Sequence, residues 1–195
     1  MDTPIEFFTT TYLDLPDEMA EDLYRLRNQT FNTRLEWQVE SQSGMEFDRF
    51  DSENATYLLG VCQGRLLCGV RFIDMKHENM IDEIFIKYFH NLTYPVQGKI
   101  FEATRLFIDK DRRNDACLQG QPITKMLFIS MINFCLKEDS PGMYAVISKG
   151  MAQIFKRAGW NIQILNQGVS EKQEKIYFVF MPASETCITE ILNKK

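Results

Sequence analysis

Ionisable side chains set inside apolar or aromatic runs are the chemically informative residues of this chain. Arg71 interrupts RLLCGVRFID, Glu102 and Arg105 interrupt FEATRLFID, and Arg27 stands shortly before Phe31 and Trp37, with Glu46, Asp48 and Asp51 following in a charged stretch. Such groups are seldom buried without partners, so their placement points to a shared polar site. Two large aromatics beside a guanidinium and several carboxylates suit the lining of a site for a small charged organic ligand. The residues alone leave a plainer reading open, in which Phe31 and Trp37 are core, Arg27 is a surface cation with a buried stem, and the acids are a solvated loop. Glu102 and Arg105 add a geometric demand. Residues three apart on a regular strand face opposite ways, so both line one cleft only where a bulge resets the register.

Other chemistries find less support. His77 and His90 are the two histidines, in no metal-ligand or triad spacing, and the acidic stretch lacks the glycine and terminal glutamate of a calcium loop. No metal and no cofactor are expected. Five cysteines without a C-x-x-C pair read as reduced thiols packed as small hydrophobes. A net charge of −5 argues against nucleic acid as a partner. The acidic N-terminus and the absence of a long apolar run predict no secretory signal, no membrane span and a cytoplasmic location. Between Asp109 and the next helix, DKDRRNDACLQGQP offers Arg112, Arg113 and one glycine, Gly120, too few flexible positions for backbone amides to cradle a pyrophosphate. Lys149, Lys156 and Arg157 flank a late helix, as a solvated face or as a docking patch.

These residues must be carried by elements, and the pattern supplies them. A helix is expected over Asp14 to Thr30, with Pro16 and acids at its start and Met19, Leu23 and Leu26 as its apolar stripe. A long irregular loop over 32–54 follows. Strands are expected at Thr56 to Cys62 and Arg65 to Ile73 around the Gln63-Gly64 turn, at Lys99 to Asp109, Met143 to Ser148, Trp160 to Leu165 and Lys175 to Met181. Helices are expected at Ile81 to Phe89, Pro122 to Leu136 and Met151 to Ala158, the last closed by Gly159. An early hairpin followed by alternating strands and helices predicts an α/β chain with a mixed sheet flanked by helices, in one domain spanning 1–195.

In order and spacing, Arg27-x3-Phe31-x5-Trp37, Glu46-x-Asp48-x2-Asp51, Arg71 and Glu102-x2-Arg105 resemble the signature of the acyl-homoserine-lactone synthases, the LuxI-type autoinducer synthases. The resemblance runs from about Leu23 to Leu165. It implies a GCN5-related N-acyltransferase-like fold with a twisted sheet and a V-shaped cleft, a substrate-binding region over about 1–55 and an acyltransferase-like core over about 56–181. The implied substrates are S-adenosylmethionine and the thioester of an acidic acyl carrier protein, acted on by a monomer. The implied catalytic set is Glu102, Arg105 and Asp48; the S-adenosylmethionine side is Arg27, Phe31, Trp37, Asp48, Asp51, Arg71 and Arg105. Phe101, Thr104, Met126, Met143, Ala145, Val146 and Ser148 would form the acyl pocket, and Lys149, Lys156 and Arg157 the carrier dock. Ala145 stands where family members making 3-oxo products often have threonine, which favours an unsubstituted chain. Two alternatives are a coenzyme A-dependent N-acyltransferase of the same fold and a non-catalytic signalling protein that binds a ligand.

Overall fold

The computed structural model describes residues 4–34, 41–114, 118 and 120–194. The chain divides into two compact units, Met1–Phe72 with Arg105–Pro122, and Ile73–Thr104 with Ile123–Lys195. The division runs through two strands, β5 (Arg65–Asp74) and β6 (Phe101–Ile108).

In the first unit, β1 (Glu6–Thr11) and β4 (Ala55–Cys62) pair antiparallel from Glu6 opposite Val61 to Thr11 opposite Thr56, and the strand order continues through β5 to β6. Strand β1 was not expected from its sequence. It is EFFTTT, largely exposed, with no inward alternation to give it away. Helix α1 (Asp17–Asn28) begins after Pro16, with Asp17 and Glu18 in its first turn where the helix dipole favours anions. Its Leu23 and Leu26 join Phe31, Tyr57, Leu59, Leu66 and Phe107 in one buried apolar cluster. The helix then widens into a π turn, Gln29–Arg34. The stretch expected to be irregular contains a two-residue hairpin, β2 (Ser41–Gln42) against β3 (Met45–Glu46). A short helix α2 (Lys110–Arg113) follows β6, with the Asp109 carboxylate accepting the Asp111 amide at 2.8 Å as its cap.

In the second unit the strand order is β6, β7 (Gly142–Ser148), β9 (Lys175–Pro182) and β8 (Gln163–Val169). The β6–β7 pairing is parallel and the others are antiparallel, giving the expected mixed sheet. Among the described residues the parallel register comprises Phe101 opposite Met143 and Glu102 opposite Tyr144. Helix α3 (Ile123–Lys137) buries Ile123, Leu127, Phe128, Met131, Ile132, Phe134 and Cys135, and helix α4 (Lys149–Ala158) ends at Gly159 in the left-handed conformation that favours glycine. Helix α5 (Glu185–Asn193), which no motif announced, packs on α3.

Two expected elements differ. Ile81 to Phe89 is a π turn, Ile81–Phe85, followed by a 3-10 turn, Ile86–Tyr88. The strand expected from Trp160 starts instead at Gln163 because the Trp160 ring is core, with its indole N–H on the Pro182 carbonyl at 2.9 Å. Cys62, Cys68, Cys135 and Cys187 are buried, and burial pushes the Cys68 and Cys135 thiols up to about 12. Cys117 lies outside the described residues. No helix among those residues is long and apolar enough to cross a membrane.

Gly168 in β8 is required by close approach. A Cβ there would stand 2.1 Å from the Tyr88 carbonyl oxygen. Gly168→Ala is therefore expected to displace the 86–90 segment and cost about 1 to 3 kcal/mol in urea unfolding. Unchanged stability would show that Tyr88 does not lie against this strand.

Candidate functional site

In the first unit the ionisable residues picked out by the sequence meet one another. Arg27 donates through Nε to Glu46 at 2.5 Å and through both terminal nitrogens to Asp51 at 2.7 and 2.9 Å. Arg71 donates to Asp48 at 2.6 and 3.3 Å and lies 3.0 Å from Asp51. Arg105 bridges Glu46 at 2.9 Å and Asp48 at 2.8 Å. Three guanidinium groups and three carboxylates thus form one alternating network whose formal charges cancel. The side chains of Arg27, Glu46, Arg71 and Asp51 are 2% exposed or less. The solvated-loop reading of the acids is overturned: the bidentate geometry of guanidinium on carboxylate ties the 46–51 segment to α1, β5 and β6.

Burial alone would lower the basicity of Arg27, but Asp51 and then Glu46 more than reverse it and hold the guanidinium above its ordinary value. Burial pushes the Asp51 carboxyl up, and Arg27 and Arg71 draw it well below the usual carboxylate range. Arg105 goes the other way. Its burial and the like charges of Arg27 and Arg71 outweigh Glu46 and Asp48, so its pKa is lowered. Tyr57, a residue not singled out from sequence, donates its hydroxyl to Asp51 at 2.8 Å. Its inward place in ATYLLGVC was the available signal, since a buried tyrosine needs an acceptor. Phe31 is 2% exposed within the apolar cluster, with the Arg105 guanidinium 5.6 Å from its ring centroid. Trp37 lies outside the described residues.

The demand for an irregular β6 is met at Arg105, whose φ is +56°. A left-handed residue inside a strand breaks the alternation, so the spacing of Glu102 and Arg105 no longer forces a strict two-face pattern.

In the second unit Glu102 is fully buried and accepts two main-chain amides, Met80 N–H at 3.0 Å and Ile81 N–H at 2.7 Å. These are the leading amides of the Ile81–Phe85 turn, which gives a buried carboxylate its natural place at a helical start. The acyl-pocket set is divided by the sheet. Phe101 and Met143 are register partners and share a face, where Phe101 meets Phe134 of α3 at 4.9 Å between ring centroids. Alternation puts Ala145 on that face too. Val146 instead packs with Tyr144, Phe178 and Phe180 on the face of Glu102, and Ser148 falls on that side of the alternation as well, its hydroxyl accepting the Met151 amide at 3.2 Å to cap α4. Met126 is half-buried on α3, and Thr104 is half-buried at the end of its unit. On α4, Lys149, Lys156 and Arg157 are exposed, and Ile154 between them is 40% exposed; the helix carries no acidic residue.

A sequence profile described as Autoinducer synthase matches residues 12–191. The acyl-homoserine-lactone synthase of Serratia liquefaciens is 43% identical over 182 residues, covering 93% of this chain and 90% of that one. That of Pectobacterium carotovorum subsp. carotovorum is 40% identical over 181 residues, covering 93% and 83%. Among solved structures, the AHL synthase LasI superposes with a TM-score of 0.85 at 18% identity, covering 98% of this chain and 96% of that one. A CoA-dependent acyl-homoserine lactone synthase, BjaI, with SAM and isopentyl-CoA, gives 0.80 at 20% identity, covering 96% and 88%. The network of paired arginines and acids and the buried Glu102 therefore sit in a chain that belongs to the autoinducer synthase family, the acyl-homoserine-lactone synthases, and is an acyltransferase.

Proposed function

We propose that this chain transfers an acyl group from acyl carrier protein to the amine of S-adenosylmethionine and closes the product to an acyl-homoserine lactone. The observation that carries the reading is the identity to acyl-homoserine-lactone synthases over nearly the whole chain. The solved relative BjaI, with SAM bound, supports the choice of amine substrate. The methionyl amine attacks the thioester carbonyl, a C–N bond forms, the C–S bond breaks and the carrier thiol leaves. Glu102 takes the amine proton, directly or through water. Backbone amides of the irregular strand stabilise the oxyanion. The methionyl carboxylate then displaces the sulfonium sulfur, giving the lactone and methylthioadenosine, a step that proximity favours.

Arg105 and Asp48 act from the ion-pair network, where they fix the 46–51 segment together with Arg27, Arg71 and Asp51. Trp37 and Phe31 supply aromatic surface for the sulfonium, worth about 0.5 to 2 kcal/mol of binding. Phe101, Met143, Ala145 and the half-buried Met126 line the acyl chain, and Ala145 favours an unsubstituted one. The reaction takes place in the cytoplasm.

Carrier protein is preferred over coenzyme A for two reasons. Between Asp109 and α3, Gly120, at φ +82°, is the one glycine available to a phosphate cradle. The cations of α4, in a chain of net charge −5, complement an acidic carrier. Reversing Lys156 and Arg157 to glutamate is expected to raise the Michaelis constant for acylated carrier by roughly tenfold and leave that for S-adenosylmethionine unchanged; equal effects on both would reject this docking face. The BjaI likeness keeps coenzyme A as a second reading, which efficient turnover of acyl-CoA without carrier would favour. The function itself is tested by mass spectrometry of extracts from a heterologous host expressing the chain. An acyl-homoserine lactone is expected, with its mass giving chain length and oxidation state, and its absence alongside folded protein would overturn the reading.

A further inference from the structure

The Met80–Ile81 amides that hold Glu102 are themselves held by a second set of contacts. The Asp82 amide donates to Asn79 Oδ1 at 3.0 Å, while Asn79 Nδ2 donates to Asp82 Oδ2 at 2.9 Å and to the His77 carbonyl at 3.1 Å. This reciprocal box is buried at Asn79, which is 1% exposed. The other Asp82 oxygen accepts the Tyr94 hydroxyl. The Tyr94 ring stands edge-on to Tyr144 at 5.2 Å and to Phe178 at 5.6 Å between centroids. Tyr144 accepts the Val96 amide through its hydroxyl at 3.0 Å, and on the sheet it is the register partner of Glu102. The contacts therefore run in one circuit from Glu102 through the 80–81 amides and the Asn79–Asp82 box to Tyr94, whose ring meets Tyr144, the residue opposite Glu102 on the sheet.

A polar circuit of this kind is an expensive way to pack a loop over an apolar cluster, because each buried donor and acceptor must be satisfied. What it delivers is a single position for two amides. We infer that Asp82 and Tyr94 are positioning residues for Glu102, acting through the Met80 and Ile81 amides to fix where its carboxylate stands. They do not touch the reacting atoms. The inference rests on the proposed role of Glu102 as the group that takes the amine proton.

Among the described residues, Tyr94 of the 79–96 segment interacts electrostatically with Glu102, Asp82 accepts from Tyr94, and Tyr144 of β7 is the register partner of Glu102. Burial and then Asp82 hold the Tyr94 hydroxyl protonated far above neutrality, so it does not titrate in the working range. Two amides donating to Glu102 favour its anion. If the turn loosens, that support for the charged form weakens.

The test is the pH profile of methylthioadenosine release by the full chain, with S-adenosylmethionine and acylated carrier protein both saturating. Tyr94→Phe keeps the ring against Tyr144 and Phe178 and removes only the hydroxyl. Its acid limb is expected to move up by about one pH unit, with turnover near the parent value on the alkaline side. Asp82→Ala should move the limb in the same direction, and the double variant no further than the larger single effect, because both act through one link. A loss of turnover that is uniform with pH, or shifts that simply add, would overturn the inference and leave Tyr94 a packing residue. Should Asp82→Ala not fold, Asp82→Asn, which keeps one acceptor, gives the same reading. Failure of the parent role is separable: it shows as full turnover in Glu102→Gln, whereas an inactive Glu102→Gln with an unmoved limb in Tyr94→Phe rejects the positioning role alone.

Discussion

Glu102→Gln is expected to lower turnover by about 10² to 10⁴ while leaving both Michaelis constants near their starting values. The size follows from what the exchange removes. Glutamine has nearly the same shape but cannot accept the amine proton. The exchange also has a structural side, since Glu102 accepts from both Met80 and Ile81 N–H. A glutamine turns one accepting oxygen into a donor facing an amide donor, at a cost of about 1 to 3 kcal/mol. Lower thermal stability is therefore expected together with the lost turnover, and rates are to be measured well below the melting transition. Retained turnover with reduced stability would make Glu102 an anchor for the Ile81 turn and remove it from the chemistry.

The largest effect on stability is expected at Arg27. Its removal by Arg27→Ala leaves Glu46 and Asp51 buried and the network one positive charge short. Breaking a buried pair in this way costs about 3 to 5 kcal/mol, to be read from urea unfolding. A loss under about 1 kcal/mol, the worth of an exposed pair, would show the network to be solvated. Acid unfolding reports the same network. The folded pKa of Asp51 lies below its unfolded value, so its contribution is complete above the ordinary carboxylate range and is lost as pH falls through the folded value. Asp51→Asn should accordingly flatten the stability curve below about pH 4 while lowering the plateau above it.

The sequence disclosed the ion-pair network because charge inside apolar runs has few physical solutions. Arg71 within a strand of near-continuous apolar residues needed carboxylates, and a loop holding Glu46, Asp48 and Asp51 was the available source. An irregularity in β6 was legible too, since a three-residue spacing conflicts with a two-residue period, and Arg105 has a positive φ. What was not legible depends on partners distant in the chain. EFFTTT becomes β1 only by pairing with β4, and the turn at Ile81 takes its start from Glu102, some twenty residues later. The alternation of β7, which puts Val146 and Ser148 on the face opposite Met143 and Ala145, was not read from the sequence.

Arg105 is also costly to replace by any simple exchange. Glycine or asparagine would relax the backbone there but strand Glu46 and Asp48 without their bridge, while lysine would keep a charge and lose the two-pronged reach. Change at this position is therefore expected to be accompanied by compensating change at 46 or 48.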